Sequence, residues 1–131
     1  MGAGVSHRNE QVVRDLYAAR ESGDLATVER LLAPDVEWHE PYEYLGDIHG
    51  REAVLAALRE VVEATHGSFH IDLHDVLAND EHAIALVQWR ATHDGHDMRG
   101  QEIAVYHVRG GVVVEVWFTA NDPTAANEFF R

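Results

Sequence analysis

The chain has 131 residues, enough for one domain that buries about two-thirds of its unfolded surface around a single core. Ten arginines and no lysine stand against 23 acidic residues, a formal charge of -13 with histidine neutral, so phosphate backbones and anionic lipids are repelled and neither nucleic acid nor membrane is an expected partner. Without lysine there is no Schiff base or P-loop lysine, and without cysteine no thiolate nucleophile, disulfide or cysteine zinc site.

Residues 1–131 read as a single domain, the first eight flexible. Asn9 to Glu21 form a first helix with Val12, Val13, Leu16 and Tyr17 on one stripe and Arg14, Asp15 and Arg20 elsewhere. Ser22-Gly23-Asp24 breaks it. Asp24 caps a short second helix carrying Leu25, Val28, Leu31 and Leu32, which Pro34 stops. Asp35 to Glu40 then alternate as a strand, with Val36, Trp38 and Glu40 on one face and Glu37 and His39 on the other. A carboxylate beside a large indole is a place where lost hydration raises its pKa and suits it to proton transfer. Tyr42 to Gly50, with two glycines and no period, reads as a loop over that strand's end. Arg51 to Thr65 form a third helix faced by Val54, Leu55, Leu58, Val61 and Val62, and Gly67 ends it.

Beyond Ser68 the period falls to two. Turn signals at Asn79-Asp80, Asp94-Gly95 and Gly110-Gly111 divide an antiparallel meander into strands over Phe69–Leu77, His82–His93, Met98–Arg109 and Val112–Ala120. Thr124 to Phe130 close the chain as a short helix. Helices followed by strands without alternation argue an α+β domain. No run of about 20 apolar residues spans a membrane and Met1 to Glu10 hold no signal-peptide core, so a cytoplasmic protein is expected. None of the three serines sits in a Gly-x-Ser-x-Gly elbow, and no Gly-x-Gly-x-x-Gly fingerprint points to a dinucleotide.

This order of elements, with GDL, LLAPDVEWHEP and HVRGGVVVEVW, resembles the NTF2-like superfamily and within it the SnoaL-like branch, over residues 9 to 126. The resemblance implies an NTF2-like cone in which three N-terminal helices pack into a strongly curved mixed or antiparallel β-sheet around a mostly apolar pocket, and commonly a homodimer through the outer sheet face. It covers ketosteroid isomerases, polyketide cyclases, epoxide hydrolases, dehydratases and non-catalytic binding modules, so fold alone does not assign an activity. Ketosteroid isomerases place a general base just before a proline at the end of the first strand, where Glu40-Pro41 stands. Their oxyanion-hole tyrosine and aspartic acid fall at Leu16 and near Ala104, so both donors are absent, and each such donor is worth about 10² to 10³ in rate. SnoaL-like proteins carry an acid near the end of the last strand, which aligns with Asp122 or with Asn121. By strand parity Asp122 falls on the face of Val114, Val116, Phe118 and Ala120; as an Asp before a Pro it is equally a helix cap.

The expected catalytic residues are therefore Glu40, Asp122 and Tyr106, with Trp38, Tyr42, Tyr44, Phe118 and Asn121 binding substrate. Two acids facing one pocket push their pKa values apart, which suits one as acid and the other as base. His70, Asp72 and His74 share one strand face, but Phe69, Ile71, Leu73 and Leu77 claim the other as core, so no metal is expected. His39 and His107 have outward parity; a histidine–aspartate pair with Asp122 would enlist His107. The leading expectation is a cofactor-independent enzyme performing isomerisation, aldol-type cyclisation or dehydration on a small apolar carbonyl-bearing metabolite. The alternatives are a non-catalytic ligand-binding or dimerisation module, and epoxide hydrolase-like water addition helped by Arg90 or Arg99. Trp89 or Trp117 on the outer sheet face would favour a homodimer.

Overall fold

The computed structural model describes residues 7–43 and 45–131; Tyr44 and residues 1–6 lie outside the described residues. Helix α1 (Arg8–Ser22) starts one residue before the sequence expectation because the His7 side chain accepts a hydrogen bond from the Asn9 amide at 3.1 Å. It stops at Gly23, whose φ of 75° suits a residue without Cβ. Asp24 caps α2 (Leu25–Leu31): one carboxyl oxygen accepts from the Thr27 amide and the other from the Thr27 hydroxyl, at 3.2 and 2.6 Å.

The chain leaves α2 two residues before Pro34. Strand β1 (Leu32–His39) carries that proline inside it, beside an irregular register with β6, between Leu32 and Glu37. The other neighbour, β2 (Asp47–His49), pairs only with Glu37 to His39, so Pro34 is called on for no ladder bond from that side. β2 occupies the segment read as loop, three residues being too few to show a period. Helix α3 (Arg51–Ala64) follows the expected span.

Strands β3 (His70–Ala78), β4 (His82–His93), β5 (His96–Arg109) and β6 (Val112–Ala120) form the expected meander, and α4 (Pro123–Phe130) ends the chain. The sheet order is β2-β1-β6-β5-β4-β3, all pairs antiparallel except β1–β6. Register shifts at Leu73/Asp75 and His107/Val108 bend the long strands, and the curved mixed sheet embraces the helices. On the concave side Val13, Leu16 and Tyr17 of α1 and Val54 and Leu55 of α3 join Val36, Trp38, Ala104, Tyr106 and Val116 in one buried core. Ala57, Leu58, Val61 and Val62 of α3 line a cavity instead.

Candidate active site

That cavity encloses about 250 Å³ between α1, α3, the end of β1 and the concave sheet face. Its walls are mostly apolar: Leu25, Leu45, Ile48, Leu58 and Val61, with an aromatic set of Trp38, Tyr42, Phe69, Trp89 and Phe130. Trp89 lies flat across the neighbouring strand because Gly100 opposite it has no side chain; a Cβ there would meet the indole at 2.3 Å. Stacking on Phe69 and tilted contacts with Phe129 and Phe130 hold the indole, so the last helix closes one wall.

Five ionisable residues line this space: Arg59 and Glu63 are exposed at its rim, while Glu40, Glu102 and Arg20 lie deeper. Glu40 follows directly on β1 and its amide donates to the Gly46 carbonyl at 3.1 Å, so strand and loop both fix it. Its Oε1 accepts the Trp38 indole N–H at 2.8 Å, the contact that shared parity within one strand makes available. Burial, followed by the charge of Glu102, pushes the Glu40 carboxyl up to about 7, while the Trp38 hydrogen bond and Arg20 oppose the rise. Glu102 is buried on β5 and accepts the Tyr42 hydroxyl proton at 2.5 Å. Its carboxyl is also raised by burial, against the Tyr42 hydrogen bond and Arg20. The Arg20 guanidinium lies 5.5 Å from the Tyr17 ring centroid and 5.8 Å from that of Trp38. Its Nη1 is buried with no hydrogen-bond acceptor among the described residues, a condition that costs about 1–3 kcal/mol for an ordinary buried donor.

Of the residues singled out from sequence, Glu40, Trp38 and Tyr42 meet at the cavity. Phe118 lies behind it, tilted against Trp38 at 4.9 Å and edge-on to Tyr106. Tyr106 points inward but does not reach the cavity: it is fully buried and donates its hydroxyl to that of Tyr17 at 2.7 Å. Burial raises both phenols, so this pair stays neutral. Asp122 is exposed and caps α4, accepting from the Ala125 amide at 3.0 Å; the helix cap prevails over the inward acid because β6 ends at Ala120 and strand parity no longer applies. Asn121 is exposed too, bonded to the Gln101 backbone. Trp89, expected as a candidate for the outer face, is instead a cavity wall.

The outer sheet face holds the other candidates. His39 lies between Asp47 and Glu115, 2.8 Å from each, and stacks on Trp117. His107 stacks on His82, its partner across β4 and β5. Arg90 and Arg99 sit opposite one another, both exposed, so neither serves the carboxyl pair. Among the described residues no group of three histidine or acidic side chains is gathered to hold a metal ion.

Sequence reasoning missed Glu102 and Arg20, and a signal existed for each. Glu102 shares parity with Ala104 and Tyr106, two positions that alternation had already turned inward. Arg20 follows Leu16 by four residues and Tyr17 by three, which puts it on the buried stripe of α1 rather than elsewhere.

A bent mixed sheet wrapped around helices over a cavity of this kind is the NTF2-like arrangement. Within that class the chain belongs to the SnoaL-like family, its residues 13–116 matching the SnoaL-like domain. An uncharacterised protein of Mycobacterium tuberculosis is 33% identical over 122 residues, which cover 91% of this chain and 93% of that protein. Bal32a, from a soil-derived mobile gene cassette, superimposes with a TM-score of 0.90 at 31% identity, over 95% of this chain and 97% of that one. IdmH of Streptomyces antibioticus, a proposed polyketide cyclase, matches at a TM-score of 0.78 and 22% identity over 93% of this chain and 99% of its own, a likeness of fold alone.

Proposed function

We propose that the protein is a cofactor-independent acid–base enzyme that isomerises, cyclises or dehydrates a small, largely apolar, carbonyl-bearing metabolite, with Glu40 as the group that moves the proton. What carries this reading is Glu40 itself: a carboxyl raised to about 7 on the wall of an apolar cavity, with a second carboxyl, Glu102, raised beside it. A base whose pKa lies near the working pH is both present in its ionised form and strong enough to take a proton. Trp38 engages Oε1, which leaves Oε2 for the carbon-bound proton of the substrate. Glu40 then returns that proton to another atom of the same ligand, while Glu102, held by the hydrogen bond from the Tyr42 hydroxyl, stands beside it. In this reading the enzyme works in the cytoplasm as a homodimer.

Deuterium exchange tests the proposal before the natural substrate is known. A panel of small cyclic ketones and 1,3-diketones incubated with the protein in D₂O is followed by proton NMR for loss of the hydrogens next to the carbonyl. Wild type is expected to accelerate exchange in at least one member, and Glu40→Gln to reduce that acceleration by about 10² or more. Glu37→Gln, whose carboxylate pairs with His49 on the outer face, is the control and should behave as wild type. Exchange that persists in Glu40→Gln, or no acceleration by wild type across the panel, would reject the proton-transfer role and leave a ligand-binding module.

A further inference from the structure

Proton abstraction next to a carbonyl leaves negative charge on oxygen, and the donors that serve ketosteroid isomerases are missing. Leu16 and Ala104 stand in those places, both fully buried and apolar. Neither nearby phenol makes good the loss, because the Tyr106 hydroxyl is given to Tyr17 and both rings are sealed in the core. The cavity wall nevertheless includes a guanidinium. Arg20 lines it, its guanidinium rests against the rings of Tyr17 and Trp38, which accept no conventional hydrogen bond, and its buried Nη1 has no acceptor among the described residues. Opposite stands the aromatic wall of Trp89, Phe69 and Phe130, suited to the faces of a planar ring.

We propose that Arg20 is the oxyanion-holding group of this cavity, and that its ligand is a small ring-bearing molecule whose carbonyl or enol oxygen takes up negative charge against the guanidinium. The proposal rests on the acid–base reading of Glu40 and adds to it the site of charge development and the shape of the substrate. A planar guanidinium with a buried N–H that lacks an acceptor, held against two rings beside a mostly apolar space, is already oriented when the charge appears and so stabilises it without reorganising. Glu40 and Glu102 are the carboxyls that face this oxygen from β1 and β5. Burial raises both carboxyls and the Arg20 charge opposes the rise in each, so all three groups share one electrostatic neighbourhood. Exposed Arg59 and Glu63 of α3 stand at the rim, one of each sign.

The test is a binding equilibrium that needs no turnover, so it can fail while Glu40 succeeds as a base, or succeed while Glu40 fails. 4-Nitrophenol, a ring with an acidic oxygen, is titrated with pH in the presence of excess protein, the visible absorbance reporting the phenolate; 4-nitroanisole, the same ring without the acidic proton, is followed by quenching of Trp38 and Trp89 fluorescence. Bound to wild type, 4-nitrophenol is expected to ionise about one to three pH units below its value when bound to Arg20→Met, the shift that a close opposite charge produces. Binding of 4-nitroanisole should be comparable in both. Arg20→Lys, which keeps the charge but loses the planar fork, should fall between them. Equal ionisation in wild type and Arg20→Met would overturn the proposal, as would failure of wild type to bind either probe. Should Arg20→Met lose its cavity and bind neither, Arg20→Lys decides: 4-nitrophenol ionising at its free value in both wild type and Arg20→Lys would overturn it.

Discussion

Burial raises Glu40 from the 4.5 of a free side chain to about 7, and that single shift ties the chemistry of the cavity to the stability of the fold. A carboxyl with a higher pKa in the folded state holds its proton more tightly there. Its contribution to stability is therefore complete below about 4.5 and is lost as pH rises through about 7. Glu21 and Asp24 work the other way. Hydrogen bonds from Ile71 and His70 outweigh the burial of Glu21, and those from Thr27 lower Asp24, so both stabilise at higher pH and lose that contribution as pH falls. A melting curve of the wild type thus mixes opposite trends, and the comparison with Glu40→Gln separates them. Glutamine cannot ionise and still accepts the Trp38 N–H. The variant should match wild type in melting temperature at about pH 4.5 and below and gain on it as pH rises to about 7, where the difference levels off, because over that range the unfolded wild-type chain ionises at this position and the variant does not. Thermal melts of both proteins across that range check this; a difference that stays constant with pH would show that Glu40 titrates at its ordinary value.

At the level of elements, α4 separates a structural role from a chemical one. Asp122 caps this helix from outside the cavity, and the helix delivers Phe129 and Phe130 to Trp89. Asp122→Ala should cost about 1 kcal/mol, the usual value of an N-cap, seen as a lower urea midpoint with an unchanged slope. Any exchange activity should remain within reach of wild type; a loss of about 10² in a stable Asp122→Ala would restore the acid to catalysis. The helix spans, the meander and the strand-end position of Glu40 were legible because each rests on local periodicity and on turn residues. Features that depend on neighbours distant in sequence were not. β1 begins at Leu32 because Val113 is there to pair with it, and β2 exists because Glu37 to His39 offer it an edge. The candidate site divides along the same line. Glu40 beside Trp38 follows from parity within six residues, whereas the Tyr42–Glu102 bond joins residues 60 apart, and Arg20 meets Trp38 only because α1 lies across the sheet. The inward orientation expected for Asp122 is not what the structure has, because parity was extended past the end of the strand that gave it meaning.

For the whole molecule, the unresolved demand is the outer sheet face. Leu77, Ile84, Val105, Trp117 and His39 follow one another across β3, β4, β5, β6 and β1 as directly paired neighbours, and Leu86 and Ile103 continue the patch on the next row. Leu77 is 64% exposed, Ile103 48% and Trp117 41%. A contiguous apolar surface of this kind gains by leaving water, and a sheet face can meet its own copy across a twofold axis. Against this stands the formal charge of -13 on each chain, which repels a second copy at long range. Salt screens that repulsion over a Debye length of about 8 Å at physiological strength while leaving apolar contact intact, so added salt should strengthen association rather than weaken it. Light scattering at micromolar concentration should give twice the 14.7 kDa of one chain. Trp117→Glu, which puts a charge within the patch without touching the cavity, should return the mass to that of one chain. Wild type measured at 14.7 kDa in both low and moderate salt would show that the face stays open to water.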